Sequence, residues 1–298
     1  DGSGSGVATC ATSQTFANNG ANQSATATVT DRAGNSTTTT VSGINVDKAL
    51  PTVTGSVDRP ANSYGWYNAP VIVSFVCADG LSGIGFCNGP ITLATEGSNL
   101  SVNGSAIDKA GNTGSTTVGG LNIDRTAPTI TATPNDSVWR KGSVTVHFTC
   151  SDDRSGVVAC PADVVVSASG VTDVTRTVTD KAGNTKSVTT TVRIDNGPPS
   201  SSFNGSGLIV VLPGGPINGT ATDALSGIGS LTVTFRNNLT GGTQNVAATV
   251  TCAEPRTSCT WTVKAPAIIG SYRATAIAVD RAGNAQNPGT VRDVSVLS

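Results

Sequence analysis

Val71-Ile72-Val73-Ser74-Phe75-Val76-Cys77 and Val144-Thr145-Val146-His147-Phe148-Thr149-Cys150 are one segment written twice. Every second residue from the first Val reads Val, Val, Phe, Cys in both; the intervening positions hold Ile, Ser, Val in one and Thr, His, Thr in the other. A period of two is that of a β-strand with one face turned to a core. Thr-rich alternation continues in Ala25 to Thr30, Thr172 to Thr179 and Tyr272 to Val279, and no segment carries a helical stripe. Short strands punctuated by Gly, Pro, Asn and Asp predict an all-β chain of sandwich domains with roughly seven strands each.

Outward from these strands the chain repeats itself. The pentapeptide Asp-Lys/Arg-Ala-Gly-Asn begins at Asp31, Asp108, Asp180 and Asp280, and three copies are followed by an Asp-x-x-x-Pro segment: Asp47 to Pro51, Asp124 to Pro128 and Asp195 to Pro199. A third element, Asp-x-x-Ser-Gly, begins at Asp79, Asp152 and Asp223, with a looser copy at Asp1. Copies 72 to 100 residues apart are too long for helical solenoid repeats and suit small domains. The expected domains are 1–47, 48–124, 125–195 and 196–298, divided at the Asp-to-Pro junctions. The last is longer through material between Asn237 and Ala267, around Thr240-Gly241-Gly242 and a hairpin from Cys252 to Cys259. In the pentapeptide, Asp31, Asp108, Asp180 and Asp280 accept from the backbone two residues on. Gly34, Gly111, Gly183 and Gly283 supply the left-handed residue of a hairpin turn.

Composition excludes most catalysts. His147 is the single His and Glu96 and Glu254 the only Glu, so His triads, His metal sites and Glu acids lack raw material. The reading is not an enzyme, with no cofactor. A net charge of −1 and no dense basic stretch argue against nucleic acid. The longest aliphatic run, Leu208 to Leu212, is far short of a membrane span. The chain does not begin with Met and shows no leader, as expected of a processed product or a piece of something longer. Six of seven Cys fall into close pairs, Cys77 with Cys87, Cys150 with Cys160 and Cys252 with Cys259, which suggests disulfides and an extracytoplasmic setting.

The order Trp-x4-Val-x-Val-x-Phe-x-Cys, Asp-x-x-Ser-Gly, pentapeptide and Asp-x-x-x-Pro resembles the bacterial immunoglobulin-like repeat domains of surface proteins and adhesins. The resemblance implies tandem immunoglobulin-like β-sandwiches and an extracellular or cell-surface rod, stalk or fibre segment. Its partners would be neighbouring copies or further repeats, with a surface ligand or glycan as the adhesin alternative, or accessory repeats of a larger secreted protein as another. The first copy departs from the pattern. Ser5-Gly6-Val7-Ala8-Thr9-Cys10 aligns with Ser155-Gly156-Val157-Val158-Ala159-Cys160, so 1–47 reads as the C-terminal half of a domain and Cys10 as unpaired or intermolecular. Two readings stay open: a segment of a longer repeat protein, or completion in trans by strands of a neighbour, which would build a fibre.

No metal is expected. Asp47, Asp79, Asp124, Asp152, Asp195 and Asp223 are weak calcium candidates, because hard cations want oxygen ligands. Lys48 and Arg125 follow two of the junction Asp residues, and Lys or Arg follows every pentapeptide Asp, which favours turn capping or pairing with Lys/Arg over an anionic cage. Trp66 and Trp139, each five residues before an equivalent Val, read as wedges at the entry to the second strand rather than a sugar platform. His147 reads as a solvent-facing strand residue, and the eight Asn-x-Ser/Thr matches as chance in a Ser/Thr/Asn-rich chain.

Overall fold

The computed structural model describes residues 4–298, and all regular structure among them is β-strand. Residues group into two compact units. The first runs to Ala127 and includes the loops Asp152–Gly156 and Asp180–Asn184; the second comprises Pro128–Ser151, Val157–Thr179 and Thr185–Ser298.

The first unit opens with one sheet, β1 (Val7–Thr9), β2 (Gly20–Asp31) and β3 (Ser36–Val46), in that order. It has no facing sheet of its own, and no residue from 4 to 50 is buried. A two-sheet sandwich follows, from β4 (Thr52–Val57), β5 (Val71–Ala78), β6 (Ile84–Cys87), β7 (Ile91–Leu93), β8 (Gly97–Asp108) and β9 (Thr113–Ile123). Sheet β4-β5-β7 faces sheet β6-β8-β9 across Tyr67, Val71, Val73, Val102, Leu121 and Ile123. Val71 and Val73 are fully buried, as the alternation requires, while Ile72 between them is exposed.

The second unit holds β10 (Thr129–Thr133), β11 (Trp139–Arg140), β12 (Val144–Ser151), β13 (Val157–Ala159), β14 (Val164–Val166), β15 (Gly170–Asp180) and β16 (Thr185–Ile194). Here β10-β12-β14 faces β11-β16-β15-β13 around Val144, Val146, Val174, Val192 and Ile194. It continues with β17 (Ser200–Phe203), β18 (Ile209–Val211), β19 (Pro216–Thr222), β20 (Ile228–Asn237), β21 (Thr243–Ala247), β22 (Thr249–Cys252), β23 (Ser258–Lys264), β24 (Gly270–Asp280) and β25 (Thr290–Val296). Sheets β17-β19-β23-β22 and β18-β25-β24-β20-β21 make an immunoglobulin-like sandwich. Its core is the largest, with Trp261 edge-on to Phe203 at 5.1 Å and its indole N–H donating to the Thr220 carbonyl at 3.0 Å. Gly219 is obligatory there, because a Cβ would overlap the Trp261 ring.

Two details depart from the sequence reading. The stretch between Asn237 and Ala267 is not all additional: β23 lies beside β19 as β14 lies beside β12, so the added strands are β21 and β22. Trp66 and Trp139 are half-buried, and the segments carrying them cross to the last strand of their own sandwich. Tyr67 bridges Ile123 in parallel, β11 pairs parallel with β16, and β18 does the same with β25.

Candidate metal centres

Three strand ends and loops converge at each of three places. Asp47 follows β3, Asp79 follows β5 and Asp108 ends β8, and their carboxylates supply oxygens within 4.8 Å of one another. Asp124, Asp152 and Asp180 repeat the cluster in the first unit, and Asp195, Asp223 and Asp280 repeat it in the second. Each cluster joins a junction Asp, an Asp-x-x-Ser-Gly Asp and a pentapeptide Asp. The last kind, Asp108, Asp180 and Asp280, joins the junction and loop Asp residues that the sequence offers as calcium candidates. Pairing of these carboxylates with Lys or Arg does not occur: none of the nine takes part in an ion pair among the described residues. Of the two roles expected of these Asp residues, capping of backbone N–H groups is seen and pairing with Lys or Arg is not. Lys109 follows its Asp in sequence, yet its ammonium lies over Gly83 at the loop rim.

The same donors hold every cluster. In the third, Asp195 accepts from the N–H groups of Gly197 at 2.9 Å and Ser226 at 3.0 Å. Asp223 Oδ1 accepts from Leu225 at 3.1 Å and Gly227 at 2.6 Å, the loop reaching back over its own Asp. Asp280 accepts from the Asn284 N–H and from Asn284 Nδ2, both at 2.7 Å. Asn284 Nδ2 also donates to the Asp195 carbonyl at 2.7 Å, so the last residue of the pentapeptide clamps the junction. Asn112 and Asn184 make the same two contacts, to Asp108 and the Asp47 carbonyl, and to Asp180 and the Asp124 carbonyl. Sequence reading gave these Asn no role; their recurrence at a fixed position was the available signal. Gly111, Gly183 and Gly283 take φ of 94°, 99° and 91°, the left-handed conformation that turns each chain end back.

N–H donation favours the charged form of a carboxylate. At Asp47 the Ser82 hydroxyl, then the Ala49 N–H, holds the carboxyl below its ordinary value against some desolvation. Asp195, Asp223 and Asp280 are buried, so little water separates or screens their three carboxylates. The Ser226 hydroxyl adds a second observation. It is buried without a hydrogen-bond partner, although the Ser226 N–H is tied to Asp195. Its counterparts Ser82 and Ser155 stand 3.4 Å from Asp79 Oδ1 and Asp152 Oδ1. An all-oxygen set of three carboxylates with a serine hydroxyl beside them fits a hard divalent cation and offers nothing to a soft one.

The first pentapeptide, at Asp31, joins no such cluster among the described residues. Asp31 accepts from Ala33 and Asn35, and its neighbour in the pattern, Asp1, lies outside the described residues. Disulfides join Cys77–Cys87, Cys150–Cys160 and Cys252–Cys259, and Cys10 is exposed and unbonded. His147 is exposed, with its ring Nδ1 2.6 Å from Asp163, a partner that sequence reading did not supply. Pro51, Pro128 and Pro199 follow the three junction Asp residues at the start of β4, β10 and β17.

A motif-bearing stretch, from the loop Asp152 past the junction Asp195, also decides the comparison with known families. Residues 152–196 match the bacterial Ig-like domain family. Among solved structures, a tetra-tandem repeat from the extending region of a large adhesion protein is similar at 18% identity and TM-score 0.36, over 93% of this chain and 82% of that one. Extracellular cadherin domains 1–5 of protocadherin gamma B2 are similar at 15% identity and TM-score 0.28, over 93% and 66% of the two chains. Among curated proteins nothing matches.

Proposed function

We propose that this Ig-like repeat chain is an extracellular spacer of four repeats, 1–47, 48–124, 125–195 and 196–298, stiffened by a divalent cation in each carboxylate cluster. The observation that carries the reading is the threefold recurrence of one cluster with the same donors, each time at an Asp-to-Pro connection. A cation there ties the connection to the two loops that follow it and removes hinge freedom that a short polar link would otherwise keep. The three disulfides and the bacterial Ig-like match support an extracytoplasmic setting. Function on this reading is reach and resistance to unfolding, with no reaction to catalyse. Calcium titration of the chelator-treated chain tests it: saturable uptake near three ions and a rise in Tm that follows ligand mass action are expected. No uptake and an unchanged Tm at millimolar calcium would overturn it.

A second reading rests on β1-β2-β3, which has no second sheet facing it within residues 4–47 and leaves Ala25, Ala27 and Val29 only half-buried and Val41 exposed. Completion by strands of another copy would cover that face and give Cys10 a partner, building a fibre. Electron microscopy of the unreduced chain at rising concentration separates the two: filaments support completion in trans, and single particles at every concentration sink it.

A further inference from the structure

The third carboxylate cluster is covered by chain that the second lacks. β23 pairs with the whole of β19, from Pro216 opposite Lys264 to Thr222 opposite Ser258, so the turn that precedes β23 stands beside Asp223. In the middle sandwich the corresponding strand, β14, pairs only with Val144 to Val146 and stops well short of Asp152. The added strand β22 makes that turn the end of a hairpin, fastened by Cys252–Cys259. Hydrogen bonds then seat the turn on both ends of the β19–β20 loop. The Asp223 N–H donates to the Thr257 carbonyl at 2.9 Å, the Ile228 N–H to the Arg256 carbonyl at 3.0 Å, and Arg256 Nε to the Ile228 carbonyl at 3.0 Å.

Within that loop Gly227 lies directly under the turn. A Cβ there would come within 2.8 Å of the Pro255 carbonyl oxygen and 3.0 Å of Arg256 Cβ, whereas at the matching Gly156 it would meet only the Lys181 ammonium at 3.8 Å. The last pentapeptide carries Arg281 where the middle sandwich has Lys181, and its guanidinium reaches to Glu254 on the turn at 3.9 Å. The result is a difference in burial. Asp152 of the second cluster is half-buried, while its counterpart Asp223 is 7% exposed and sits with Asp195, Asp280 and the unpartnered Ser226 hydroxyl out of solvent. A complete sandwich precedes each of these two clusters, so the difference belongs to the added hairpin.

We infer that the β22–β23 turn is a lid on the third cluster, which traps a divalent cation there while ions at the first two clusters exchange readily with solvent. The inference rests on the cation reading above and adds to it which ion stays. A bound cation leaves as water replaces its protein oxygens, and at the third cluster water enters only when the turn lifts. That is a local opening in which the three hydrogen bonds and the packing over Gly227 are lost together. The first two clusters would follow the calcium around them, and the Asp195-to-Pro199 connection would stay fixed after the others had emptied.

Release kinetics test it. The calcium-loaded full chain is mixed rapidly with an excess of a fluorescent chelator; two ions should leave in a fast phase and the third about tenfold or more slowly. Asp223→Asn should remove the slow phase and keep the fast amplitude. Gly227→Ala drives a methyl against the Pro255 carbonyl and should speed the slow phase about tenfold. Gly156→Ala is the control: its φ of 75° matches the 80° of Gly227, but no turn lies over it, and it should leave the slow phase unchanged. Cys252→Ser with Cys259→Ser unfastens the hairpin and should act as Gly227→Ala does. Absence of calcium uptake would overturn the cation reading and the lid with it. Ions that all leave together, a slow phase that survives Asp223→Asn, or one that neither Gly227→Ala nor the double-Ser change accelerates would overturn the lid alone.

Discussion

Asn284 shows how much one side chain carries. Buried, it spends one amide nitrogen on two acceptors, the Asp280 carboxylate and the Asp195 carbonyl. Asn284→Ala leaves a buried carbonyl without that donor and should cost about 1–3 kcal/mol in urea unfolding of the full chain. Asn112→Ala should cost less, because the Asn112 site is only half-buried and water can replace the amide. Equal losses would mean that the clamp is not what stabilises the junction. Asp136 gives a pH handle away from the clusters. The two Arg140 Nη groups donate to its two oxygens at 2.8 and 2.7 Å, and this hydrogen bonding holds its carboxyl below the usual value of 3.8. Asp58 is lowered as well, first by the Ile72 N–H and then by Arg59. A group with a depressed folded pKa stabilises fully above its unfolded value and loses that contribution as pH falls through the folded one. Stability from these two Asp residues should therefore hold down to about pH 4 and fall below it. Asp136→Asn should flatten part of that acid arm in thermal melts between pH 2 and 6.

At the level of strands and turns, the alternation of Val144, Val146 and Phe148 with Thr145, His147 and Thr149 was legible because a period of two is local and one face must be buried. The pentapeptide turn was legible in its Asp and Gly, which act within five residues, although Asp108, Asp180 and Asp280 accept from the Asn N–H four residues on and not from the residue two on. What escaped was the meeting of Asp195, Asp223 and Asp280, which depends on how separate strand ends converge and leaves no local period. The basic residue after the pentapeptide Asp stands beside the cluster without an ion pair to it: the Lys109 and Lys181 ammoniums lie over Gly83 and Gly156, whose N–H groups donate to Asp79 and Asp152. At the turn, Gly111→Ala meets open space, so any loss reports the left-handed φ alone; about 1 kcal/mol is expected from equilibrium unfolding. The disulfides act on elements too. Cys77–Cys87 and Cys150–Cys160 each close a separation of 10 residues, and Cys252 faces Cys259 across the β22–β23 hairpin. Chain-entropy arithmetic gives roughly 2.5–3 kcal/mol for such loops, large for small sandwiches. Reduction should lower Tm substantially, and an unchanged Tm in excess reductant would deny them that role.

For the whole molecule, removal of divalent ions is the informative perturbation. Tm in chelator should fall relative to calcium, and Asp223→Asn should erase part of the difference because it weakens one cluster of three. The sheet β1-β2-β3 offers a separate consequence. Every residue there is at least partly open to solvent, and it has no core cluster, whereas Trp261 and its neighbours are sealed. Digestion by trypsin should be graded along the chain. Arg32 and Lys48, both exposed, should be cut first, and the polypeptide from Ala49 onward should persist as a resistant fragment. The molecule would be trimmed from one end while its remaining sandwiches keep their shape. A ligand that covers the open sheet would announce itself by protecting those two bonds.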